Sequence, residues 1–222
     1  MNNTGIKEDA NVILEGVKIG YSINNPLVEI PHLEIFPGEI VAITGPSGVG
    51  KTTLVRTIAG LVSPISGSVR VFDSTLPHRP PRGSIGYIPQ RLGLVSHASV
   101  LHNVLLGARA GHSSALSIIS SQKSRRSAID AIDRMGLSEK MHEPVRRLSG
   151  GQQRRVATAR TIAQSPKLLL ADEFLSELDE KTLDKVQNEV IDYIRKNNST
   201  LILVEHDVSR ATSIADRMLV ID

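Results

Sequence analysis

The sequence predicts an α/β protein built on a mostly parallel sheet, and three observations carry that expectation. In the last third, short apolar strands at 167–171, 200–204 and 218–221 are separated by helical patterns. Strands alternating with helices make βα units, and such units pair their strands in parallel. Around residue 50 the pattern changes period, from the buried run Ile40-Val41-Ala42-Ile43 to helical spacing at Leu54, Val55, Ile58 and Leu61. The chain has 222 residues, 40% hydrophobic and 22% charged, which suits one globular domain or one domain with an insertion.

The elements follow in order. Residues 12–19 are a mixed apolar run ending at Gly20, and 27–35 alternate loosely and are broken by Pro31. Pro37-Gly38 marks a tight turn before the strand at 39–44. Past a Gly-rich loop, a helix starts near Lys51, with Gly60 where it would end. Residues 63–83, rich in Pro, Ser and Gly, read as turns between short strands, one of them at 69–72. Another strand at 84–88 is stopped by Pro89. The stretch 97–147 lacks strand signals. It holds helices at 100–110 and 125–135, the second with Ile129, Ile132 and Met135 on one face, and a serine-rich connection between them. This middle region reads as a helical insertion. A helix through Val156, Ala159 and Ala163 stops at Ser165-Pro166; Leu183, Val186, Val190 and Ile194 mark another, and 208–215 a third. No internal repeat and no heptad pattern is present.

Composition excludes several classes. Lys plus Arg total 26 against 23 Asp plus Glu, a net charge of +3, which permits an anionic partner without demanding nucleic acid. There is no Cys, so disulfide and thiol chemistry are out, and a reducing compartment fits. With no Trp and 3% aromatics, the chain lacks the stacking platforms of single-strand binders. No apolar run is long enough to span a bilayer. Residues 1–9 have no apolar core and carry acids, unlike a signal peptide, so a cytoplasmic protein is expected.

The chemistry is concentrated in three segments. Gly45-Pro46-Ser47-Gly48-Val49-Gly50-Lys51-Thr52 fits a phosphate-binding loop between a strand and a helix. Backbone N–H groups must turn inward around an anion, and glycines leave that path clear. The helix N-terminus points its positive end at the same place. Lys51 would supply a full charge to the β and γ phosphates, and the Thr52 hydroxyl can ligate Mg²⁺. In Lys167-Leu168-Leu169-Leu170-Ala171-Asp172-Glu173 an apolar strand delivers two carboxylates at its C-terminal end, where open α/β sheets bind ligands. Asp172 would hold Mg²⁺ through a water, and Glu173 would accept a proton from an attacking water. Leu148-Ser149-Gly150-Gly151-Gln152 precedes a helix and reads as a second anion site, a helix cap, or both.

With these motifs in this order over nearly the whole chain, the sequence resembles the ABC-type ATPases, the nucleotide-binding subunits of ATP-binding-cassette transporters. The resemblance implies a P-loop NTPase core with a mostly parallel sheet, an N-terminal antiparallel β subdomain and an inserted α-helical subdomain. Residues 1–90 and 155–222 would form the core and 91–154 the insertion. It implies ATP and Mg²⁺ as ligands and a head-to-tail homodimer, in which Leu148, Ser149, Gly150, Gly151 and Gln152 touch the ATP held by the partner subunit. It places Tyr21 on the adenine ring and Thr53 beside the phosphate loop. Gln90 would reach Mg²⁺, Asp179 would belong to a loop at the dimer seam, and His206 would touch the γ-phosphate. The other histidines read as surface residues, and Arg146, Arg147, Arg154 and Arg155 as a solvated basic face.

Two positions depart from the family pattern. Phe174 stands where proline is usual, which would free φ and loosen the turn carrying Glu173. Glu177 stands where a small residue is usual, and a carboxylate at a dimer seam needs a partner or water; an arginine across the dimer, or else slightly weakened dimerisation, is expected. The resemblance further implies transmembrane permease subunits that hold the protein at the inner face of the membrane. The segment from Leu92 to Gly111 and the serine-rich helix before Met135-Gly136-Leu137 are most similar to importers of the phosphonate or phosphate-ester type. An exporter or lipoprotein-release ATPase, or a soluble ATPase of iron–sulfur assembly, are the alternatives. Because the chain stops at Asp222, no C-terminal regulatory domain of the sugar or methionine importer kind is expected.

Overall fold

The computed structural model describes residues 9–22, 25–111 and 117–222, without the side chains of Tyr21 and of 117–120. Two sheets organise it. In the first, β1 (Val12–Ser22) pairs antiparallel with β2 (Asn25–Ile35) on one side. On its other side lies β4 (Ser66–Val71), which carries the two-residue β5 (Ser74–Thr75). The break expected at Pro31 does not occur. The strand β2 is the sheet edge, and the register passes from Val17↔Ile30 to Glu15↔His32 without pairing Pro31. An edge strand tolerates a residue with no N–H to donate.

The second sheet is parallel throughout its described pairings. Its strands are β3 (Ile40–Thr44), β6 (Ile85–Ile88), β7 (Leu168–Asp172), β8 (Thr200–Val204) and β9 (Arg217–Val220), in the order β6-β7-β8-β3-β9. Every residue of β3, β7 and β8 is buried. Both faces are covered, so these strands read as unbroken apolar runs rather than alternating ones. Successive residues serve different cores. Val41, Ile43, Leu170 and Ile202 pack with β1, β4 and the helix α1 (Lys51–Ile58). Ile40, Ala42, Leu169 and Leu201 pack with the helices of the opposite face.

Those helices are α2 (Val100–Gly111), α3 (Ser117–Arg134), α4 (Gly150–Ala163), α5 (Glu180–Asn197) and α6 (Val208–Ile214). From Ser117 onward the serine-rich stretch belongs to α3. Its buried face is Ser124, Ala128, Ala131 and Ile132, continued by Met135, whereas Ile129 is exposed. That face has helical spacing, but Ser124, Ala128 and Ala131 make its first part, and Ile129 points away. The expected boundary at residue 154 falls inside α4, which is continuous. The helices α2 and α4 lie close because Gly107 and Gly111 have no Cβ; one there would collide with the backbone of Arg160 and Gln164. The helical insertion thus shares one core with the parallel sheet.

Candidate functional site

The C-terminal ends of β3, β7 and β8 converge on an open cleft of about 340 Å³. Ser47, Lys51 and Thr52 form one wall; Gln90, Glu173 and His206 form the other. Thr53 also lines it, while Gly45, Pro46 and Val49 complete the loop behind. Gly50 caps α1 at φ 114, a left-handed conformation. A Cβ there would sit 2.8 Å from Val28 Cγ2, so both the backbone and β2 require glycine. Lys51 is nearly buried, and its Nζ donates to the carbonyls of Gly45 and Pro46, each at 2.7 Å. The ammonium is therefore tethered across the loop that the glycines shape.

Asp172, the last residue of β7, is fully buried. Its Oδ1 accepts from Thr52 Oγ1 at 3.2 Å, and its Oδ2 is buried with no partner among the described residues. Burial pushes this carboxyl above the usual carboxylate range, and the Thr52 hydrogen bond partly opposes that. An orphaned buried oxygen beside a hydroxyl suits a hydrated divalent cation. Among the described residues no group of three or more His, Cys, Asp or Glu could hold a metal. That donor set matches Mg²⁺, which takes few protein ligands and completes its shell with water and substrate phosphates.

Glu173 follows at φ 53. Its Oε2 accepts from Gln90 Nε2 at 3.1 Å, and its Oε1 lies 2.7 Å from His206 Nε2. The carboxylate is thus held from both sides, by the residue two past β6 and the residue two past β8. A residue that the motif reading missed fixes His206. Glu205 is buried, and its Oε1 accepts from the backbone N–H of His206 at 3.0 Å and of Asp207 at 3.2 Å, and from Arg210 Nη1 at 3.4 Å. An acid directly after an apolar strand was its only trace in the sequence.

The segment 148–152 does not line this cleft. Ser149 caps α4 with a full capping box: its Oγ accepts from Gln152 N at 3.3 Å, and its own N–H donates to Gln152 Oε1 at 3.0 Å. Leu148 is buried beneath, and Gly150 and Gly151 lie at the exposed helix tip. Asp179 caps α5, accepting from Thr182 N at 3.0 Å, and hydrogen bonding to Thr182 holds its carboxyl below the usual range. Tyr21 is a residue of β1 whose side chain lies outside the described residues.

Three expectations are corrected. Arg154 is not on a solvated face: it is buried, and its Nη2 pairs with Glu177 Oε1 at 3.1 Å. Glu177 therefore has an arginine within its own chain, where one across a dimer was expected. Arg155 is half-buried and donates to the Met135 carbonyl at 2.9 Å, leaving only Arg146 and Arg147 exposed. Phe174 does not loosen the turn, because its side chain is among the largest fully buried ones and anchors the segment in the core.

Known proteins resemble this chain over most of its length. A family model described as "ABC transporter" matches residues 28–176. The phosphonates import ATP-binding protein PhnC 2 of Cupriavidus metallidurans is 36% identical over 224 residues, covering 96% of this chain and 80% of that protein. A protein named for 2-aminoethylphosphonate import, PhnT of Salmonella typhimurium, is 34% identical over 94% of this chain and 55% of its own length. The chain thus spans about half the length of the PhnT relatives it matches. The L-cystine transport ATP-binding protein TcyN of Escherichia coli is 36% identical over 86% of the chain and 78% of that protein. Among solved structures, a dimeric ATP-binding cassette bound to ADP and Pi superposes with a TM-score of 0.84 at 28% identity, covering 95% of this chain and 94% of that one.

Proposed function

The chain belongs to the ABC transporter family, and from that premise we propose that it is the ATP-binding and ATP-hydrolysing subunit of an importer. The observation that carries this reading is the convergence in one cleft of Lys51, the orphaned oxygen of Asp172, and a carboxylate at Glu173 gripped by Gln90 and His206. The loop 45–50 wraps the triphosphate with backbone N–H groups, and Lys51 exchanges its two carbonyl partners for the β and γ oxygens. Thr52, with Asp172 acting through a water, is the pair that would hold Mg²⁺, which supplies neutralisation of phosphate charge. Glu173 accepts the proton of the attacking water. Gln90 and His206 orient that carboxylate, and His206 contacts the γ-phosphate. Tyr21 is assigned to the adenine ring.

Residues 91–154 serve as the arm that presents 148–152, with Asp179 nearby, to ATP held by a second copy in a head-to-tail dimer. Permease subunits hold the dimer at the membrane. Among the described residues no helix is long and apolar enough to cross one. The names of PhnC 2 and PhnT support phosphonate-type import as the finer reading.

Two variants test the mechanism. Lys51→Ala should abolish tight ATP binding in equilibrium titration. Glu173→Gln should keep binding, slow turnover by about a hundredfold or more, and accumulate an ATP-bound dimer on gel filtration. Turnover of Glu173→Gln at the wild-type rate would remove Glu173 as the base. Ligand-stimulated ATPase activity of the assembled transporter with phosphonates, compared with cystine and polyamines, tests the substrate class.

A further inference from the structure

We propose that Arg154 and Glu177 form a positioning strut that ties the Glu173 backbone to the Gly150 end of α4 in the same protomer. The inference rests on the ATPase reading above and concerns residues to which it gives no role. Arg154 lies in the second turn of the helix that begins at Gly150. Its guanidinium spends two donors on the segment after β7: Nη1 on the Glu173 carbonyl at 3.1 Å and Nη2 on Glu177 Oε1 at 3.1 Å. Both acceptor residues are non-glycine residues at positive φ, 53 for Glu173 and 62 for Glu177. Such backbone persists only where its surroundings over-determine it. Phe174 and Leu175, both buried, pin the segment from beneath, and Arg154 ties it sideways.

The pair is asymmetric. The Arg154 side chain is 6% exposed and that of Glu177 is 65% exposed. Arg154 Nε is also buried without a partner among the described residues. A desolvated guanidinium in this position needs the Glu177 charge. The acid reaches it across the glycine tip. A Cβ on Gly150 would lie 2.8 Å from Glu177 Oε2, and one on Gly151 would lie 3.2 Å from the Glu177 carbonyl. The tip that touches the partner's nucleotide and the loop that carries the protomer's own base are therefore one mechanical unit. The strut transmits closure at one ATP site to Glu173 of the other.

The test uses the full chain with Glu177→Ala, at a side chain 65% exposed, and Glu177→Gln, which keeps an acceptor oxygen, with circular dichroism and urea denaturation of each variant confirming that it is folded under assay conditions. Glu177→Ala should lower kcat about tenfold, the effect of one hydrogen bond to a charged group. Affinity for a non-hydrolysable ATP analogue should stay unchanged, the cooperativity of turnover in ATP should fall, and Glu177→Gln should restore part of kcat. In the nucleotide-free protein, hydrogen exchange across 173–178 should speed up in Glu177→Ala. Wild-type kcat and cooperativity in Glu177→Ala overturn the strut while leaving the ATPase reading intact. Absence of MgATP turnover in the wild type overturns the ATPase reading. Unchanged exchange across 173–178 overturns the strut whether or not the chain hydrolyses ATP.

Discussion

The two loops that face each other across the cleft solve the same geometric problem in opposite ways. The phosphate loop reaches left-handed backbone with Gly45, Gly48 and Gly50, at φ 143, 83 and 114. The loop after β7 does so with Glu173 and Glu177, at φ 53 and 62, where carboxylates are needed and glycine is not an option. The first loop is permitted by its own composition. The second is imposed by long-range contacts: Phe174 in the core, Arg154 from α4, and Gln90 and His206 from two other strand ends. On the proposed mechanism, a loop that only wraps an anion can be locally soft, whereas one that aims a base needs external bracing.

The largest effect that could break this comparison is at Phe174. If the second loop depends on its anchor, Phe174→Ala should destabilise the protein by about 3–5 kcal/mol, the range for truncating a buried aromatic. Urea denaturation measures it. A loss under about 1 kcal/mol, within the range of ordinary surface substitutions, would show that the bracing lies elsewhere. Next in size is Gly50→Ala. The new methyl meets Val28 and Leu27, and its φ is unfavourable for an L side chain. A cost of about 1–2 kcal/mol is expected from the left-handed backbone, with nucleotide binding lost because the loop must shift. Calorimetric titration with ATP reads the second part. Binding of wild-type strength would mean the loop owes less to its glycines than its conformation implies.

The same contrast explains what could be read from the sequence. The phosphate loop, β3, β7 and β8 were legible because their constraints are local: glycines for shape, and apolar runs for strands covered on both faces. Fold class and family followed from those elements. The bracing was not legible, because its partners are far apart along the chain. Gln90 meets Glu173 across 83 residues, His206 meets it across 33, and Arg154 meets Glu177 across 23. An arginine flanked by polar residues at a helix start looks solvated until the fold buries it. The packing face of α3 was hard to read for another reason. From Ser124 to Ala131 it is serine and alanine, which carry little hydrophobic signal, while Ile129 faces out.

The smallest expected effect sharpens the comparison by supplying an ion pair that braces little. At the other end of the parallel sheet, Asp216 accepts both guanidinium nitrogens of Arg195, at 3.0 and 2.6 Å, and the Ile40 N–H at 2.9 Å. The Arg195 hydrogen bonds hold its carboxyl below the usual range, with burial opposing and Ile40 assisting. A lowered folded-state pKa means the stabilisation is present above the unfolded value of about 3.9 and disappears as pH falls through the folded value. The side chains are 46% and 43% exposed, so solvent screening limits the pair to under about 1 kcal/mol. Asp216→Asn should therefore melt only slightly below the wild type at neutral pH, and the two should converge only once pH falls below the lowered folded-state value, where both carry a neutral side chain. A gap above about 2 kcal/mol at neutral pH, more than an exposed pair supplies, would mean that exposure does not separate this pair from Arg154–Glu177. In that case burial of the guanidinium is not what gives the strut its strength.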